Sequence, residues 1–175
     1  MTTLRRDAAA NRERLITAAL DVFNSVGLDA GVEVIAQRAG VGVGTLYRRF
    51  PTKDALIDFL VDELMADITE RAAMARGVPD GHGLEQYLRQ LADALSAHRG
   101  CLSRIWNSER DHSELSRRIS VLLREAKAAG AVRADVTRAD ITTVAWALRG
   151  IIESAGDDAA VACQRHLDHL FTGMR

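Results

Sequence analysis

Apolar positions recur along this chain three or four residues apart, and almost no run alternates with period two. That is the spacing of one helical face after another. Leu15, Ile16, Ala19, Leu20, Phe23 and Val26 predict a helix over residues 11–25, ended by Gly27. Val32, Ile35, Ala36 and Ala39 fall at i, i+3, i+4 and i+7, one short stripe. Gly40 to Gly42 break it, and a second short helix over 43–49 turns Leu46 and Phe50 inward. Thr52 is placed to cap a long helix to about residue 76, through Leu56, Ile57, Leu60, Val61, Leu64, Met65 and Ile68. After the loop at 77–83, helices are expected at 84–97, around 102–106, and at 114–129, 137–155 and 157–172. Thr137 and Asp140 have the spacing of a capping box at the start of the helix over 137–155. The expectation is an all-α chain of about nine helices.

Residues 32–50 hold the most specific local signal. Two short helices joined by a glycine-bearing turn of about 3–4 residues are a helix-turn-helix. Gly40 supplies the positive φ that such a turn requires, and Ala36 is small enough for the two helices to cross closely. The second helix shows Val43, Gly44, Thr45, Tyr47 and Arg48 away from its apolar side. A glycine inside a helix costs about 1 kcal/mol relative to alanine, and close approach of the backbone to DNA would explain Gly44.

Charge sharpens this picture. The chain has 175 residues, 47% of them hydrophobic, and a net charge of −1. Residues 1–53 hold eight Lys or Arg against five acids, or +3, which leaves −4 on the remainder. A basic head on an acidic body fits DNA contact at one end. The first ten residues read as a flexible basic arm whose Arg5 and Arg6 could reach a minor groove.

The block IAQRAGVGVGTLYRRFPTKDAL resembles the DNA-binding signature of the TetR family of transcriptional regulators. The likeness covers about the first third of the chain; the rest resembles the family in length and helicity. It implies a three-helix DNA-binding domain over residues 1–53 and an effector-binding and dimerisation domain over 54–175. It implies a protein that acts as a homodimer on a palindromic double-stranded operator, in most cases a repressor released by a small-molecule effector. Val43, Gly44, Thr45, Tyr47, Arg48 and Lys53 are the expected DNA-binding residues. Thr45 could offer its hydroxyl to a base or phosphate, Arg48 could fork onto guanine, and Tyr47 and Lys53 suit phosphate. Two positions depart from the family pattern. Gly31 stands where many members have Ser or Thr, and Val43 where many have a polar or basic residue. A valine can touch a thymine methyl but cannot hydrogen-bond a base edge.

An effector pocket is expected among Met65, Tyr87, Leu91, Trp106, Leu122 and Trp146, with Arg104 and His98 as candidate polar anchors. The last two helices carry wide apolar faces, and Val144, Leu148, Ile151, Ile152, Leu167 and Leu170 are the expected dimer interface.

Other chemistries have weaker support. No nucleophile motif accompanies Glu109, Asp111 and His112, and GVGVG lacks a preceding strand, so an enzyme is not expected. Cys163, His166 and His169 at i, i+3 and i+6 offer metal-binding groups, but i+6 swings off the shared face. A metal sensor and an effector-free activator remain the alternatives. No cofactor is expected. Cys101 and Cys163 are isolated, no apolar run approaches membrane-spanning length, and the N-terminus lacks an apolar signal core. A cytoplasmic protein is expected.

Overall fold

The computed structural model describes residues 2–107 and 110–174, and the side chains from residue 10 onward within them. Among these residues there are nine α-helices and no strand: α1 (Thr2–Val26), α2 (Val32–Ala39), α3 (Val43–Arg49), α4 (Lys53–Met74), α5 (Gly83–Ala97), α6 (Leu102–Trp106), α7 (Ser113–Ala128), α8 (Arg138–Ala155) and α9 (Ala159–Met174). Short 3-10 turns lie at Pro79–Gly81, Arg99–Cys101 and Gly156–Asp158. None of the described helices is long and apolar enough to cross a membrane.

The chain divides into two compact units, residues 1–63 with 97–108, and 64–96 with 109–175. α4 contributes to both. In the first unit, α1 lies along α2 and its buried positions are Leu15, Ala18, Ala19, Val22 and Phe23. α1 begins at Thr2, so a helix occupies the stretch expected to be a flexible arm; the side chains of Arg5 and Arg6 lie outside the described part. Val26, expected in the core, is 65% exposed.

Residues 97–108 complete this unit. The 3-10 turn Arg99–Cys101 packs on α1, where the Gly100 N–H donates to Asn24 Oδ1 at 2.8 Å and Asn24 Nδ2 donates to the Ala97 carbonyl at 2.9 Å. A Cβ on Gly100 would stand 2.2 Å from the Phe23 carbonyl oxygen, so only glycine permits this approach.

In the second unit, α5 buries Leu84, Tyr87, Leu88, Leu91 and Leu95 on one face. Gly83 begins that face against Ala75, just past α4, and against α7: a Cβ there would lie 2.1 Å from the Ala75 carbonyl oxygen and 3.4 Å from Leu122 Cδ2. Arg89 ties α5 to α9, donating to Asp168 at 2.7 Å and to Gln164 at 3.1 Å, while Gln164 returns a bond to Asp93 at 2.9 Å. α8 opens with the expected capping box. The Asp140 N–H donates to the Thr137 hydroxyl at 3.3 Å, and the Thr137 N–H donates to the Asp140 carboxylate at 2.6 Å. α8 and α9 pack on each other, with the Cys163 thiol 3.9 Å from the Leu148 carbonyl.

Candidate nucleic-acid interface

The turn between α2 and α3 adopts the geometry its glycines foretell. Gly40 ends α2 at φ 67°, ψ 35°, and its N–H donates to the Gln37 carbonyl at 3.1 Å. Gly42 caps α3 in extended conformation without a side-chain bond, as Gly31 caps α2. α3 is short and held by two anchors, Leu46 and Phe50, which are 0% and 5% exposed. The Phe50 ring packs on Phe59 of α4 in a tilted arrangement, centroids 5.3 Å apart, and the Arg12 guanidinium of α1 lies over the Phe59 ring at 4.7 Å. One aromatic pair and one cation–π contact thus join the first helix, the recognition helix and the helix that follows.

The opposite side of α3 faces solvent. Gly44, Tyr47, Arg48 and Arg49 are exposed, and Val43 and Thr45 are half-buried. A Cβ on Gly44 would meet nothing within 4 Å, so nothing in the chain's own packing requires glycine there. Arg48 is folded onto its own helix: Nε donates to the Gly44 carbonyl at 3.2 Å and Nη2 to the Thr45 hydroxyl at 3.1 Å. Lys53, at the start of α4, places its ammonium 3.4 Å from the Ala30 carbonyl, just before the N-terminus of α2. Thr52 accepts the Ala55 N–H at 3.0 Å and so fixes the start of α4, the stop-and-cap expected from the sequence. All six residues expected to contact DNA therefore lie on α3 or at the first position of α4, within one unit.

Residues 15–59 match the sequence profile of the tetR family of bacterial regulatory proteins, and residues 79–175 match that of the C-terminal domain of SbtR-like transcriptional regulators. The chain belongs to the TetR family. A TetR-family regulator from Mycobacterium vanbaalenii is 30% identical with a TM-score of 0.69, over 98% of this chain and 99% of that one. Another, from Streptomyces coelicolor, is 30% identical with a TM-score of 0.68, over 94% and 98%. The transcriptional repressor KstR of Mycolicibacterium smegmatis is 39% identical over 75 residues, which span 39% of this chain and 35% of that repressor. The protein is a transcriptional regulator with a DNA-binding helix-turn-helix, not an enzyme.

The other expected sites are distributed less simply. Tyr87, Leu91 and Leu122 are buried in the second unit, at 0%, 6% and 1% exposure, and Met65 is half-buried there. Trp106 belongs to the first unit. Trp146 is 53% exposed on α8 and does not join the interior that holds Tyr87. Arg104 is not a free anchor either, since it pairs with Asp58 and Asp54 inside the first unit.

Most of the expected interface residues are enclosed by their own chain. Val144, Leu148, Ile152 and Leu167 are buried within the chain itself, because α8 and α9 use this stripe to pack on each other and on their own unit. Only Ile151 and Leu170 are half-exposed. They border two shallow grooves on the outer side of the helix pair, with Thr143, Ala147, Ala162, Arg165, His166 and His169. The sequence signal for that face was Thr143, Ala147 and Ile151 at successive i+4 steps, masked by the stronger apolar stripe beside it. Cys163 is 0% exposed, and burial pushes its thiol up to about 11, away from the thiolate that binds metal. Cys163 is buried while His169 is exposed, and these three groups do not converge.

Proposed function

We propose that this regulator acts as a homodimeric repressor on a palindromic operator and leaves it when a small molecule enters the second unit. The observation that carries the DNA reading is α3 itself, whose two apolar anchors are buried while Gly44, Thr45, Tyr47 and Arg48 stand on its open side. In the groove, Val43 and the Thr45 methyl would meet thymine, and Gly44 would let the backbone come close. Arg48 would release its bonds to Gly44 and Thr45 and fork onto a guanine. Tyr47 and Lys53 would hold phosphates, Lys53 beside the N-terminus of α2.

One head reads few base pairs, so specificity calls for a pair on two half-sites. The outer face of α8 and α9 supports a second copy. Small residues Ala147, Gly150 and Ala162 permit close helix approach there, and Val161 beside them is 73% exposed. The Cys163 environment disfavours the metal-sensor alternative. An effector-free activator would share the head, and the second unit's interior separates the two readings.

Selection from a random duplex pool, followed by salt titration of the winning sequence, tests the proposal. A palindrome with a steep salt slope is expected. Well-folded protein that enriches no sequence would overturn it.

A further inference from the structure

Tyr87 is 0% exposed, and its hydroxyl is buried without a hydrogen-bond partner. Buried polar side-chain groups are satisfied in the large majority of cases, and an unmet donor is unfavourable. Phenylalanine would fill the same volume without that penalty. Tyr87 stands one turn along α5 from Gly83, which lies against Ala75 and Leu122, and its neighbours on that buried face are Leu84, Leu88 and Leu91. No charged side chain is buried among the described residues. The charged groups nearest in sequence, Glu85 and Arg89, are part-exposed and bound to each other. An ionised ligand would therefore enter this interior without a counter-charge, which is strongly disfavoured.

We propose that the effector is an uncharged, largely hydrocarbon molecule bearing a carbonyl acceptor, and that the Tyr87 hydroxyl is the donor that recognises it. This rests on the effector reading above. The apolar walls admit the hydrocarbon, the hydroxyl fixes its orientation, and ligands without an acceptor leave the donor unmet. Burial raises the phenol above its usual range, so it stays protonated and keeps its donor at all pH values the cell meets.

Three probes of one size distinguish the outcomes: acetophenone, ethylbenzene and phenylacetate, titrated calorimetrically into the full-length wild type and Tyr87→Phe. Acetophenone should bind the wild type about tenfold more tightly than ethylbenzene, the ratio of one hydrogen bond. In Tyr87→Phe the ratio should fall to about one, with a melting temperature equal to or above the wild type's. Phenylacetate should bind neither. Equal binding of the two neutral probes by the wild type, a preference that survives in Tyr87→Phe, tighter binding of phenylacetate, or no binding of any probe would overturn the proposal. Binding of the selected duplex by both proteins is measured alongside. A wild type that discriminates the probes but selects no duplex would sink the palindromic-operator reading and leave the Tyr87 site standing.

Discussion

Arg104 of α6 forks onto Asp58 of α4, with Nε 3.0 Å from one carboxylate oxygen and Nη2 3.3 Å from the other; Asp54 lies 3.6 Å away. The carboxylates raise the guanidinium's pKa further above its ordinary value. Both side chains are about two-fifths exposed, so water screens the pair. Arg104→Ala should lower stability by no more than about 1 kcal/mol, and the difference should shrink in high salt. Urea titrations at two ionic strengths check this. A larger, salt-independent loss would mean that the arginine stem, not its charge, holds α6.

Gly100 and Gly44 should respond oppositely to alanine. At Gly100 the new Cβ would collide with the Phe23 carbonyl and the Asn24 nitrogen, both backbone atoms. Gly100→Ala should cost about 1–3 kcal/mol. At Gly44 the space is open, and Gly44→Ala should raise stability by up to about 1 kcal/mol while weakening operator binding. Chemical denaturation and duplex titration of both variants measure the pair. Undiminished operator affinity in Gly44→Ala would show that the backbone does not approach the groove at this point.

The capping box gives stability a defined pH dependence. The Thr137 N–H and hydroxyl hold the Asp140 carboxyl below its usual range. A depressed folded pKa means that the contribution is fully present above the unfolded value, about 3.9, and is lost as pH falls from there through the folded value. The melting difference between wild type and Asp140→Asn should thus be flat from neutral pH to about 4 and close below it. Thr137→Ala, which removes the cap's acceptor, should cost about 1 kcal/mol. A difference that grows in acid would contradict the assignment.

Within the interface, phosphate and base contacts should separate by salt and by sequence. Lys53→Ala should weaken all duplexes alike and flatten the log-affinity against log-salt slope by about one unit. Arg48→Ala should cost about 1–3 kcal/mol on the selected site and relax one base position. An unchanged slope for Lys53→Ala would remove it from the phosphate contacts.

Dimerisation should depend on the outer face of α8 and α9, not on its buried stripe. Ala162→Glu should yield a folded monomer that no longer binds the palindrome, read by sedimentation and melting. Ile152→Asp should instead unfold the second unit, because Ile152 is 2% exposed within the chain. A dimer that persists in Ala162→Glu would place the interface elsewhere.

What the sequence made legible was local. Gly40, the Thr52 cap and the Thr137–Asp140 box each act through neighbours within a few residues, and each took the predicted form. Helix order followed from the apolar period. The width of an apolar stripe was less informative. Val26 fits a face by spacing yet is exposed, and the expected interface residues Val144, Leu148 and Leu167 serve the chain's own core. Periodicity says which way a residue points, and only tertiary packing says what stands opposite. Arg104 illustrates the same limit: its carboxylate partners are nearly fifty residues earlier, and no local pattern announces them.

The seating of Gly100 against Phe23 also bears on how such regulators can be recombined. The DNA-reading unit is not a contiguous passage of sequence, since residues 97–108 are built into it. A chimera that joins this head to another relative's body at a single crossover would inherit a foreign segment at that seat. Grafting the operator preference intact calls for three crossovers, so that residues 97–108 travel with the head they complete.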